Sequence, residues 1–175
     1  TSWTEVNDLG TARYGIGGSG ATNTAALAFG GNGNSALTEL WGGTNWTEVN
    51  DLNTGRQLIA SGGTTTSTLA FSGWNPYRAQ TESWNGTNWT EVNDLNEARY
   101  YAAGAGADNT SALFFGGNVP PATAVTELWN GTNWTEVNDL NTARYALAGG
   151  GSATSALAFG AEPASALTEL WNGTN

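Results

Sequence analysis

An all-β fold, a four-bladed β-propeller, is what this sequence predicts, and three observations carry the prediction. The segment Trp-Thr-Glu-Val-Asn-Asp-Leu begins at Trp3, Trp46, Trp89 and Trp134, so one unit recurs four times at spacings of 43, 43 and 45 residues. Each unit holds four short strand-like runs and no long segment with a helical period. The sequence opens on the fourth run of a unit and closes after the third. Residues 1–6 are therefore expected to complete the last blade, close the ring and remove its exposed edge. Four strands in a unit of this length suit a propeller blade better than a solenoid turn.

The runs follow a fixed order. First comes an Ala/Gly-rich stretch, at 15–18, 58–61, 101–104 and 146–149. Its small side chains suit the innermost strand, where backbones crowd the axis. The second run is apolar, as in Leu69-Ala70-Phe71, Leu113-Phe114-Phe115 and Leu157-Ala158-Phe159, with strand-compatible Leu and Phe. The third is Thr-Glu-x-Trp at 38–41, 81–84, 126–129 and 168–171, and the fourth is Trp-Thr-Glu-Val. Between third and fourth, Asn-Gly at 85–86, 130–131 and 172–173 is expected to supply the positive-φ residues of a tight hairpin.

Trp46…Arg56…Leu69-Ala70-Phe71…Glu82-Ser83-Trp84 and Leu113-Phe114-Phe115-Gly116-Gly117…Glu127-Leu128-Trp129 together resemble kelch repeats. Such repeats carry an Arg after the strand-four Trp, an apolar strand ending in a Gly pair, and a Glu-x-aromatic segment before the next Trp. The resemblance covers essentially the whole chain. Two blades depart from it, with Ser72-Gly73 and Gly160-Ala161 in place of the Gly pair. The near-verbatim units are also similar to the kelch-like repeats of tailed-phage virion proteins, which implies a virion or extracellular, microbial-surface setting.

Composition narrows the chemistry. The chain has no Cys, His, Met or Lys, and its five cations are all Arg. Thiol nucleophiles, imidazole bases, Schiff-base lysines and His- or Cys-rich metal sites are excluded. A net charge of −10 repels nucleic-acid backbones and anionic membranes. No apolar run is long enough to span a bilayer. Neither cofactor nor metal is expected.

Two sets of glutamates recur: Glu5, Glu48, Glu91 and Glu136, and Glu39, Glu82, Glu127 and Glu169. With Trp opposite Trp across the hairpin, Glu39 would face Glu48, an arrangement that destabilises a sheet unless compensated. One Arg per blade (Arg13, Arg56, Arg99, Arg144) is the expected partner, since a guanidinium fork matches a carboxylate. A carboxylate-pair glycosidase is the sharper alternative. Asp8, Asp51, Asp94 and Asp139 are expected to cap local turns, or else to ring a channel mouth.

Eight tryptophans occupy repeat positions: Trp3, Trp46, Trp89 and Trp134 open strand four, and Trp41, Trp84, Trp129 and Trp171 end strand three. Inter-blade packing is their expected role. Trp74 stands apart, in a strand-two to strand-three loop that differs between units. With Tyr77 and Arg78 it forms the candidate ligand site, because varied loops on a rigid scaffold carry binding and these residue types dominate hot spots.

The reading is a non-enzymatic binding or structural scaffold with an unknown protein or glycan partner. The alternative is a multivalent carbohydrate-binding propeller; a carboxylate-based glycan enzyme ranks below both. A four-bladed monomer is the favoured assembly, with two chains forming one eight-bladed ring as the rival.

Overall fold

The computed structural model describes residues 2–74 and 76–174. The described residues form fifteen strands and no helix. Four antiparallel sheets are arranged as the blades of a β-propeller. Blade one holds β1 (Gly17–Thr22), β2 (Ala25–Phe29), β3 (Thr38–Trp41) and β4 (Trp46–Val49). Blade two holds β5 (Ala60–Gly63), β6 (Thr68–Phe71), β7 (Thr81–Trp84) and β8 (Trp89–Val92). Blade three runs through β9 (Ala103–Asp108), β10 (Ser111–Phe115), β11 (Thr126–Trp129) and β12 (Trp134–Val137). Blade four has β13 (Ala148–Ser152), β14 (Ser155–Phe159) and β15 (Thr168–Trp171). Within each sheet, neighbours in sequence are neighbours in space.

The first strand of each blade begins two residues later than the sequence suggests. Gly15, Leu58, Tyr101 and Ala146, one per blade, adopt φ between 52° and 65°. That left-handed residue ends the joint from the previous blade and turns the chain into strand one. Close approach follows as expected: a Cβ on Gly62 would stand 2.9 Å from the backbone nitrogen of Gly106 in the next blade. Only small residues fit where inner strands meet.

In the 85–88 hairpin loop, Gly86 alone carries the positive φ, at 94°. Asn85 works through its side chain, its Oδ1 accepting the N–H groups of Thr87 and Asn88 at 2.9 Å each. This is an Asx turn set beside a glycine at the first central position, as type II′ hairpins favour. The loop at 130–133 repeats it.

Strand alternation sends odd and even residues of strand two to opposite neighbours. Phe29 of blade one meets Trp89 of blade two edge-on, with centroids 4.9 Å apart. Phe71 of blade two meets Trp134 of blade three likewise, at 4.9 Å. Ala103, Leu113 and Phe115 of blade three pack on Ala156 and Ala158 of blade four. There is thus one apolar cluster for each of three seams.

Closure by residues 2–6 is not formed. β15 pairs with β14 alone, residues 2–6 lie outside any strand, and Trp3 is fully exposed. The physical reason is an open fourth seam. Phe159 is 44% exposed where its counterparts Phe29 and Phe71 are 0%, so blade four does not reach the back of blade one. β15 therefore has no path to its fourth strand.

Candidate functional site

The repeated glutamates sit in the register expected from the hairpin. Glu82 directly opposes Glu91, and Glu39 and Glu127 oppose Glu48 and Glu136. The conflict is relieved by asymmetry. Glu82 is 1% exposed, while Glu91 on the outer strand faces solvent. Arg56 Nη1 donates to Glu82 Oε1 at 2.6 Å. The backbone N–H and side-chain amide of Asn53 donate to Oε2 at 2.7 and 2.9 Å. Arg56 Nη2 donates to Ala70 O at 3.0 Å.

Arg99–Glu127 and Arg144–Glu169 repeat the pair at 2.8 and 3.0 Å, and Arg13 pairs with Glu39. Arg99 also lies over the Phe114 ring, 4.2 Å from its centroid, a cation–π contact. Burial opposes ionisation of Glu39, but the Arg13 guanidinium and the N–H groups of Gly10 and Thr11 overcome it. Its carboxyl is held below the usual value. Burial lowers the Arg56 and Arg99 values, against the pull of Glu82 and Glu127.

The aspartates act at longer range than a local turn. Asp51, Asp94 and Asp139 accept the N–H groups of Thr38, Thr81 and Thr126, thirteen residues upstream. Each fastens the start of strand three to the exit of strand four. The concavity at the axis is lined instead by uncharged residues, among them Gly15, Leu58, Tyr101 and Ala146, so no aspartate ring forms its mouth.

The repeat tryptophans divide by position. Trp41, Trp84, Trp129 and Trp171 each donate Nε1 to a carbonyl of the hairpin between strands one and two, at 2.9–3.0 Å. Trp89 and Trp134 donate Nε1 across a seam to Thr38 and Thr81 Oγ1, at 3.1 and 2.9 Å. Trp46 is half-buried. Trp3 departs from the packing expected of it, because the seam it would fill lacks its strand.

Trp74 and Tyr77 come together in the blade-two loop, edge-on at 5.3 Å. Arg78 closes that loop through its backbone N–H to Gly73 O at 3.1 Å. Among the described residues it has no carboxylate within salt-bridge distance and makes no cation–π pair with either ring. The two rings are the start of a longer row. Tyr100 lies 4.6 Å from Trp74 and 5.3 Å from Tyr77. Tyr101 follows at 4.9 Å, and Tyr145 at 6.3 Å from Tyr101. Five rings thus form one row across blades two, three and four.

Backbone pairing between loop and joint positions the row. Trp74 bridges Gln57, Asn118 bridges Tyr100, and Glu162 bridges Tyr145. Burial and the neighbouring Tyr77, Tyr101 and Tyr145 push the Tyr100 phenol above its ordinary value, so it is a neutral hydroxyl at physiological pH. Tyr77 and Tyr101 are each more than a third exposed.

Sequence reading found the loop half of this row and missed the joint half. Tyr100 and Tyr145 follow Arg99 and Arg144 as Tyr14 follows Arg13, so they look like repeat residues. The available signal was Tyr101, a large ring where other blades carry Gly15, Leu58 and Ala146. No protein-family profile matches this chain, and no curated protein matches it.

Proposed function

We propose that this protein is a non-enzymatic, kelch-like binding scaffold whose recognition surface is the aromatic row Trp74–Tyr77–Tyr100–Tyr101–Tyr145. The observation that carries the reading is the continuity of five rings at one edge of three blades, three of them (Trp74, Tyr77 and Tyr101) at positions where the repeat has no ring. Ring faces and phenol hydroxyls suit a ligand with apolar and hydroxylated surfaces, as a glycan or a protein segment presents. Two further facts support a binding role over catalysis. One glutamate of each facing pair is already committed to an Arg and to backbone donors, and six of the eight repeat tryptophans spend their Nε1 groups on internal partners. A virion or extracellular surface fits this reading, since such scaffolds display variable loops on a repeated frame.

A glycan array probed with the 175-residue chain tests it. Binding to a defined glycan class, lost in Trp74→Ala and Tyr101→Ala but kept in Tyr14→Ala on blade one, is the expected result. A uniform blank would exclude the glycan branch. Retention of binding in both row variants would exclude the row as the site.

A further inference from the structure

The repeat asks for an indole in every seam. Trp89 stands edge-on to Phe29 at 4.9 Å and donates to Thr38 Oγ1 at 3.1 Å. Trp134 does the same with Phe71, at 4.9 Å, and with Thr81 Oγ1, at 2.9 Å. By repeat position, Phe115 and Thr126 require Trp3. Beside them lies instead a cavity of about 50 Å³, lined also by Leu140, Ala156, Leu170 and Trp171. Trp3 itself is fully exposed.

A second gap lies at the ends of the arc. On blade four, Leu157, Phe159 and Leu170 are 42%, 44% and 66% exposed. On blade one, half-buried Trp46 borders an open concavity with Ala26 and Ala28. Thr168, the counterpart of fully buried Thr38 and Thr81, is exposed. The two ends are a matched pair, since Leu27 and Phe29 already meet Ala70 and Trp89 in the seam between blades one and two.

The first two seams share one contact, Phe29 on Trp89 and Phe71 on Trp134. A step of 90° would lay Phe159 on Trp46, and these residues are unpacked. The arc is therefore open between blade four and blade one.

We propose that a second copy of this chain fills both gaps, giving one closed eight-bladed ring. Residues 2–6 of each copy add to β15 of the other as its fourth strand, in the register of β3 with β4: Trp3 opposite Trp171, Val6 opposite Thr168. Blade one of each copy seats on blade four of the other. The outgoing strand is already aimed. Asn7 Nδ2 donates to Thr44 O and Asn45 Oδ1 at 3.0 and 2.6 Å, as Asn50 does to Thr87 O and Asn88 Oδ1 at 3.0 and 2.7 Å. Residues 2–6 thus leave blade one as β4 leaves blade two. Head-to-tail contacts close into a ring when the rotation permits, and eight blades lies within the range propellers adopt.

Sedimentation equilibrium of the 175-residue chain tests the assembly. A species of twice the 18.1 kDa chain mass is expected. An 18.1 kDa species at every concentration, self-closed or open, overturns the proposal, as does an open-ended series of larger species. Trp3→Ala and Phe159→Asp change exposed side chains, so both should keep the wild-type circular dichroism. Each should weaken dimerisation by at least about 30-fold, as loss of an interface hot spot does. Undiminished dimerisation of Trp3→Ala overturns the exchange of strands.

Discussion

The seam between blades two and three and the aromatic row at the blade edges are both built from rings, yet the rings do different work. In the seam, Phe71, Phe114 and Trp134 interlock within 6.3 Å of one another, and the Trp134 nitrogen is bonded to Thr81. The Phe–Trp pair and its indole–Thr bond recur in the seam before it, with Ala70 where Phe114 stands. In the row, rings touch one another and also face solvent; blades three and four share the joint tyrosines Tyr100 and Tyr145, while Trp74, Tyr77 and Tyr101 have no equivalent in the other blades. The repeat has fixed what must pack. Variation has accumulated where packing leaves a choice.

Substitutions can break this contrast, and the largest effect should come from the seam's ion pair. Glu127→Ala strands the buried Arg99 guanidinium, and a buried charge without its partner costs about 3–5 kcal/mol; urea denaturation should show the loss directly. Phe71→Ala removes an edge-on partner of both Phe114 and Trp134 and should cost about 3–4 kcal/mol, again read from the urea midpoint. In the row, Tyr101→Ala is expected to shift that midpoint by less than about 1 kcal/mol while changing ligand recognition. A large stability loss there would make the row part of the architecture.

Acid gives a finer comparison. The Glu39 carboxyl is held below its ordinary value, so the unfolded chain takes up its proton first as pH falls. Stability from Glu39 is complete above the unfolded value and is lost as pH drops through the depressed native one. Thermal midpoints should be level from neutrality to about pH 4.5, then decline. Glu39→Gln should be less stable at neutral pH and show a shallower acid limb. The smallest effect is expected on the outer strand: Glu91→Gln should leave the thermal midpoint unchanged, because that carboxylate is solvated.

Much of this was legible in the residues. Asn85-Gly86 announced the hairpin, the phase of the Trp-Thr-Glu-Val segments set the blade boundaries, and the facing of Glu82 and Glu91 called for Arg56. What was not legible depended on angles between elements. Whether residues 2–6 reach β15 is decided by the rotation at each seam, which no residue pattern states. The joint tyrosines were hidden for another reason: at Tyr100 and Tyr145 the repeat and the row use the same residue. Asp94 was misjudged in range, since its side chain reaches Thr81 across the hairpin rather than its own turn.

One consequence lies in the spacing of Arg56 and Glu82. The two are 26 residues apart, and Asn53 and its carboxylate partner are 29 apart, both shorter than the 43-residue unit. A gene segment encoding one unit therefore transmits acid, base and amide together. Duplicating or deleting it never leaves half a buried pair behind, so the number of blades can change without an intermediate that fails to fold on electrostatic grounds. Only strand four is shared across the unit boundary, and a shared strand is what lets a chain be joined to its own kind.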